Sequence, residues 1–336
     1  MESTRLSQPA PASLAMRVRL HLYPHRRFLK WLRVMARWQL RAPFHSEIQW
    51  RFCRWVSLLT TDPGEKILWR MPRASLKFLL DPLEAIQMNL LYRDSFQPEV
   101  MDWVKRSLSA DTLFVDAGAN VGIHTLIAAD YYRAQLGATD QPRVLAFEPN
   151  PIIFAQLEEN IRLNQLNSFA SAFPHAISDQ DARANFFLSS AENSSASSLA
   201  ALGPAHLHTG EFIQVQTVAL ESVVEKIAGG RKIGLIKLDI EGAELGALRG
   251  AYSLIARDRP RIILEVHPTL MHAFGYSFAD IFDLLWGCGY EIFRIKKDSN
   301  LAPLHNCEWT SLQESGDVIC FALDRLAQKN NSHGNS

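Results

Sequence analysis

Long apolar runs are missing: none in the 336-residue chain reaches the roughly 18 residues that a membrane-spanning helix needs. Met1 to Leu20 also lacks an apolar stretch of the secretory kind, so no leader is expected. Cysteine is scarce. Cys53, Cys288, Cys307 and Cys320 form no CxxC pair and no zinc-type pattern with histidine, which predicts reduced thiols and a cytoplasmic setting rather than a disulfide framework. Internal repeats are absent, and Lys plus Arg balances Asp plus Glu at 35 each. What is present, 47% apolar and 21% charged residues, suits a globular protein long enough to bury a sizeable core.

The charge balance is uneven. Up to Arg41 there are nine Lys or Arg residues against Glu2 alone, so the remainder is acidic. Residues 1–15, rich in Ser, Pro and Ala, are expected to be disordered, as is the tail 326–336. Residues 16–76 read as a basic helical extension and 77–325 as the main domain. Within the extension, Arg26, Lys30, Arg33, Arg37 and Arg41 recur at spacings of three and four, which predicts a helix with one charged face and Phe28, Leu29, Leu32, Met35 and Trp38 around the rest. Such a helix either docks its apolar side on the main domain or lies peripherally on the anionic inner membrane surface. No nucleic-acid motif accompanies it, so no nucleic-acid partner is expected.

From Lys77 onward the texture alternates. Strand candidates at 113–116, 144–148, 233–239, 261–266, 290–295 and 318–323 are separated by helical patterns at 122–132, 152–164, 243–256 and 278–287. That rhythm predicts a parallel sheet covered on both faces. Residues 182–224 break it with extra strands around a Ser/Ala/Asn loop.

In open sheets of this kind ligands bind beyond the carboxyl ends of the strands, so the loop in "LFVDAGANVGIHT" is the place to look. Gly118 and Gly122 lack the third glycine of GxGxxG, and Asp116 would repel a pyrophosphate seated on the following helix. S-adenosylmethionine has no phosphate and carries an ammonium and a sulfonium, so an acid there attracts it. Glu148, ending the next strand in "VLAFEPNP", is placed to accept from both ribose hydroxyls. Asp116 alone could be a helix N-cap; the pair is harder to explain that way. An NAD-dependent oxidoreductase and a non-catalytic scaffold of the same fold are the competing readings.

The chain resembles the FkbM-type methyltransferases. The matching stretches are "FVDAGANVGIHT", "FEPNP" with "NIRLN" on the following helix, "AISDQDARANFF", "SSL" at 197–199, "IGLIKLDIEGAELGALRGA" and "PRIILEVHP", together covering about Pro98 to Leu323. Where the family often has a glycine shortly after "SD", Ala182 or Ala184 stands here. The resemblance implies a Rossmann-like class I methyltransferase fold, with a seven-stranded, mostly parallel sheet, helices on both faces and the last strand antiparallel. It implies methyl transfer to a hydroxyl of a sugar, glycolipid or natural product. By position, Asp116, Gly118, Asn120 and Gly122 would line the methionine end of the donor, Glu148 the ribose with Asn150 beside it, and Ala176, Ser178 and Asp179 the adenine. Tyr92, Phe96 and Glu99, together with the loop Glu192 to Leu199, would border the acceptor, whose identity the sequence does not contain.

An alcohol attacks a sulfonium methyl well only if its proton is removed, so a positioned base is expected. Asp239 in "KLDIEGAE" ends a strand beside the switch point and is the leading base or acceptor-orienting group. Glu241 and Glu244 follow at the turn, where helix capping would also account for them. Lys237 within the strand would snorkel or pair with an acid. Glu265 and His267 in "LEVHP" share a side if the strand runs through both, and His267 titrates in a range that suits a proton acceptor. A divalent metal on Asp239, Glu265 and His267 is conceivable but not demanded by the spacing. Oligomeric state is not legible.

Overall fold

The computed structural model describes residues 31–32, 34–35, 47–62, 64–72, 74–94, 96–139, 141–189, 197–200, 208–304 and 315–323. Trp31, Leu32, Val34 and Met35 are helical, with Trp31 and Val34 exposed; the rest of the basic stretch 26–41 and the two expected disordered ends lie outside the described residues. Among the described residues no helix is long and apolar enough to cross a membrane.

Contacts divide the chain into two compact units, 1–69 with 80–96, and 70–79 with 97–336. The first elements are α1 (Glu47–Thr60), β1 (Ile67–Arg70), β2 (Lys77–Leu80) and α2 (Ala85–Arg93). Within the first unit, Ser57 of α1 and Tyr92 of α2 share a buried hydrogen bond of 2.8 Å, and Trp69 Nε1 donates to Asp94 Oδ1 at 3.1 Å.

The second unit continues with α3 (Pro98–Ser107), β3 (Leu113–Ala117), α4 (Ile123–Leu136), β4 (Val144–Phe147), α5 (Pro151–Leu163), β5 (Ala170–Phe173), β6 (His175–Ser178), β7 (Ala182–Ser189), β8 (His208–Ala219) and α6 (Leu220–Ile227). It ends with β9 (Ile233–Leu238), α7 (Glu244–Arg249), α8 (Tyr252–Asp258), β10 (Arg261–Val266), α9 (Pro268–Ala273), α10 (Phe278–Gly287), β11 (Tyr290–Ile295), β12 (Leu301–Pro303) and β13 (Gly316–Ala322).

One sheet has the order β12-β11-β13-β10-β9-β3-β4-β5. From β5 to β10 the pairing is parallel, and β13 runs antiparallel between β10 and β11. These seven strands match the expected sheet. The eighth, β12, corrects it: Lys296 N bonds Asn300 O at 2.9 Å in a tight turn that folds three residues back along β11. Every residue of β3 and β4 is buried, which an apolar run needs when helices cover both faces. β6, β8 and β7 form a separate three-stranded sheet; β7 and β8 are the extra strands foreseen in 182–224, and β6 precedes that range.

The helix expected over 243–256 is instead two, α7 and α8, interrupted at Gly250. Packing explains the break. Gly250 lies so close to β6 that a Cβ there would sit 2.1 Å from the Ser178 carbonyl oxygen.

The "NIRLN" motif has a structural purpose. Asn160 lies on α5 and Asn164, four residues on, caps its carboxyl end, so both reach the same side. Asn164 Oδ1 accepts from Lys77 N and Asn160 Oδ1 from Leu79 N, both at 2.8 Å, while Asn164 Nδ2 donates to Lys77 O at 2.6 Å. Gln156, one turn earlier, donates to Leu79 O at 2.6 Å. A polar helix face thus satisfies a strand edge that would otherwise carry unpaired backbone groups. Asn160 Nδ2 also donates to Val121 O at 2.9 Å and so pins the glycine loop.

Candidate active site

The strand order reverses between β3 and β9, so the switch point lies at their carboxyl ends. There the glycine loop turns on residues with positive φ: Gly118 at 75°, Asn120 at 50° and Gly122 at 93°. Gly118 could be nothing larger, because its Cβ would lie 1.8 Å from the Asp239 carbonyl oxygen. Asn120 tolerates the left-handed conformation by accepting from Val121 N at 2.8 Å.

Glu148 closes the other side of the loop. Its Oε2 accepts from Asn120 N at 3.0 Å and its Oε1 from Asn150 N at 2.9 Å, which fixes the carboxylate at the end of β4. Asn150 caps α5, its Oδ1 accepting from Ile152 N at 3.0 Å. Asp116 is not an N-cap; Gly122 holds that place in α4. The aspartate is fully buried beneath the glycine loop, with Oδ2 accepting from Thr125 Oγ1 at 2.6 Å and Oδ1 left without a hydrogen bond.

Register extends this into a row of acids. Ala117 pairs with Phe147 and with Leu238, Leu238 with Leu264, and Glu265 with Asp317. One step on, Glu148, Gly118, Asp239, Glu265 and Asp317 therefore lie side by side across the sheet. Asp116 and its partner Lys237 share their face two residues earlier. Lys237, 3% exposed, places Nζ 3.0 Å from Asp239 Oδ2 and 3.8 Å from Asp116 Oδ1, so the pairing expectation for this lysine is the one realised.

The electrostatics follow from one ammonium among several carboxyls. Burial opposes the charge on Asp239, but the Lys237 ammonium and hydrogen bonds from Lys237 and Glu265 outweigh it and hold its pKa below the ordinary carboxylate value. Burial, then the neighbouring Asp239, Glu241 and Asp317, push Glu265 up to about 10, so it keeps its proton and gives it to Asp239 in a hydrogen bond. Burial first and Asp239 next raise Glu241 to about 8 and Asp317 to about 6. Burial lifts Glu148 to about 7 against the pull of its two backbone donors, and Asp116 is raised by burial as well. His124, on the first turn of α4 and 4% exposed, is lowered to about 3 by burial and by Lys237, and its Nε2 has no partner.

Glu244 behaves as a cap. Its Oε1 accepts from Gly242 N at 3.2 Å and Ile240 N at 3.3 Å, and Tyr276 OH lies 3.0 Å from its Oε2. Glu241 sits at φ 54°, and its carbonyl accepts from Ser198 Oγ at 2.8 Å, which explains the "SSL" motif as a tether of that loop to the turn after β9. Strand β10 stops at Val266, so His267 falls beyond it as the residue preceding α9, with Nδ1 buried and unpartnered. Ser178 Oγ donates to Asp179 Oδ1 at 3.2 Å, and both line a cavity of about 320 Å³ with Leu199, Gly242, Arg249 and Tyr276. Tyr92 is buried in the first unit with its hydroxyl engaged by Ser57, Phe96 in the same unit is half-buried, and Glu99 in the second is close enough to raise the pKa of Asp317. Residues 191–196 of the Ser/Ala/Asn loop lie outside the described residues. Among the described residues no three of His, Cys, Asp and Glu are grouped to hold a metal ion.

Sequence reasoning missed His124, Thr125 and Asp317. His124 had a signal, its place on the first turn of a helix that opens from the glycine loop. Asp317 had none, since only strand pairing brings it beside Glu265.

These raised carboxyls bear on stability. A carboxyl whose pKa rises on folding adds stability that is complete below its unfolded value near 4 and lost as pH climbs through its folded value. With Asp317 near 6, Glu148 and Glu244 near 7 and Glu241 near 8, the unliganded protein is expected to lose melting temperature steadily between pH 5 and pH 8. Calorimetric melting across that range checks it, and a melting temperature that stays level or rises contradicts it.

Fold and site together define a Rossmann-like class I methyltransferase: the strand order with its antiparallel β13, a glycine loop at the switch point, and acids ending the strands on either side. The Methyltransferase FkbM domain model matches residues 116–292, more than half of the chain, and the chain belongs to that family. It is 24% identical over 183 residues to Methyltransferase 1 of Beauveria bassiana, covering 51% of this chain and 70% of that protein. It is 22% identical over 213 residues to the hexuronic acid methyltransferase AglP of Haloferax volcanii, covering 63% and 79%. A solved FkbM methyltransferase from Methylobacillus flagellatus aligns at 15% identity with a TM-score of 0.42 over 86% of this chain. The chain spans 58% of that one's length, under two thirds.

Proposed function

We propose that this methyltransferase takes its methyl group from S-adenosylmethionine and places it on a hydroxyl oxygen of a sugar, glycolipid or related natural product. The observation that carries the donor assignment is the gathering of carboxyls at the switch point, where Asp116 and Asp239 share the Lys237 ammonium and Glu148 stands close enough to feel both aspartates. A pyrophosphate would be repelled there, whereas a sulfonium and an ammonium are welcome. The narrow turn at Gly118, above the buried charge of Asp116, fits that donor's methionine end, and Glu148, fixed by two backbone donors, fits its ribose diol. When bound, the donor supplies an electrophilic methyl on positively charged sulfur.

The chain's own part is to orient the acceptor and take its proton. Asp239, kept ionised by Lys237 and oriented by the Glu265 hydrogen bond, is the base. The AglP relative is named for a hexuronic acid, which supports a sugar acceptor here.

Titration calorimetry with S-adenosylmethionine and, separately, NADH tests the donor. Binding of the first is expected, and Glu148→Ala should weaken it about 10- to 100-fold, the worth of hydrogen bonds to a charged group. Tight NADH binding with no response to S-adenosylmethionine would overturn the assignment. The acceptor is sought by mass spectrometry of extracts incubated with labelled donor, where the label should appear as an ether methyl.

A further inference from the structure

Methylating a hydroxyl releases a proton, and that proton has to leave. We infer that Asp317, which no motif singles out, is the exit: the geometry assigns it as the relay that carries the acceptor's proton from the Asp239–Glu265 pair toward solvent. The inference rests on the O-methyl transfer proposed above.

Three geometric facts carry it. Glu265 stands between its two neighbours, hydrogen-bonded through its side chain to Asp239 on one flank and paired in strand register with Asp317 on the other. Directly paired residues on antiparallel strands hold their Cβ atoms about 4.5–5.5 Å apart on one face. Lys237 is 3% exposed, whereas Asp239, with 21% of its side chain exposed, Glu265 and Asp317 are each half-buried, and Glu99 of α3 is near enough to Asp317 to act on its charge. One buried atom points to a polar guest in the same cluster: His124 Nε2 lacks a hydrogen-bond partner and feels Asp239.

The proton balance closes. The acceptor O–H bond breaks as the new O–CH3 bond forms and the C–S bond to the donor breaks, leaving neutral thioether. Asp239 receives the proton. The Asp239–Glu265 pair then holds two protons where it held one, and Glu265 passes the surplus to the Asp317 carboxylate, which yields it to water.

Asp239 alone could not retain that proton, since Lys237 keeps its pKa low. Asp317, raised to about 6 by burial and Asp239, accepts it and still releases it near neutrality. The charged groups around Asp317 are Glu265 on β10, Lys237 and Asp239 on or just after β9, and Glu99 on α3. Arg294 on β11 lies with its guanidinium against Gly316.

The test needs no acceptor. The proton shared by Glu265 and Asp239 should give a far-downfield 1H resonance, and its exchange with water is read from the line width. Asp317→Asn is expected to slow that exchange at least about tenfold, Asp317→Glu to restore it, and Asp239→Asn to bring the pKa of Asp317 down in a carboxyl-13C titration. Unchanged exchange in Asp317→Asn, or an Asp317 that titrates as an ordinary aspartate and ignores Asp239→Asn, overturns the relay. Calorimetry of wild type and Asp317→Asn with S-adenosylmethionine separates the two ideas: equal binding by both leaves the donor assignment standing whatever the exchange rates show, and no binding by wild type removes the donor assignment itself.

Discussion

Lys237→Met is expected to destabilise the second unit by about 3–5 kcal/mol, the usual effect of removing one partner from a buried ion pair and leaving the other charge uncompensated. The lysine is 3% exposed and is 3.0 Å from Asp239 and 3.8 Å from Asp116, one of which is fully buried. Methionine fills much the same space, so lost charge rather than a cavity would dominate. For a unit of this size the melting temperature should drop by roughly 10 °C. The pH dependence identifies the cause. Without the ammonium, both aspartates would have folded-state pKa values well above their unfolded ones, so the loss should be largest at neutral and alkaline pH and shrink as acid protonates them. Melting curves of both proteins from pH 5 to pH 8 decide the matter, and a pH-independent deficit would point to packing instead.

Asp239→Asn should lower kcat by about 10²- to 10⁴-fold while leaving donor affinity within a few-fold, because removal of a general base acts on the transition state and not on the ribose or methionine contacts. Asparagine keeps the shape and can still accept from Lys237 and Glu265, so the fold should survive. The measurement is single-turnover methyl transfer, with donor binding by calorimetry as control. A turnover loss below about tenfold would remove Asp239 from the base role and direct attention to Glu241, whose raised pKa of about 8 suits a proton acceptor near neutrality.

Much of the site was legible from local sequence because local chemistry dictates it. A glycine where the chain turns between an apolar run and a helix, an acid ending each of two successive strands, and Asn at a four-residue spacing on a helix all have physical meaning over a handful of residues. The places of Asp239 and Glu148 at the ends of their strands were read this way. Asp116 was found but misplaced in depth: spacing locates a residue along a strand but does not tell how much chain covers it, and here Thr125 and Lys237 enclose it. The single long helix over 243–256 misled because periodicity cannot register that Gly250 is pressed against Ser178 from another part of the chain. His267 was to share a side with Glu265 only if the strand ran through both, and β10 ends one residue too soon, with Pro268 opening the next helix.

The amino-acid sequence by itself determined the alternation of strands and helices, the glycine loop, and which acids end the strands, since each depends on apolar periodicity and backbone freedom within a short window. Only the tertiary structure decided that Glu148, Asp239, Glu265 and Asp317 form one row around one buried lysine. Strand register joins residues far apart in the chain, and the protonation state of each acid is set by burial and by neighbours that only the folded sheet brings close.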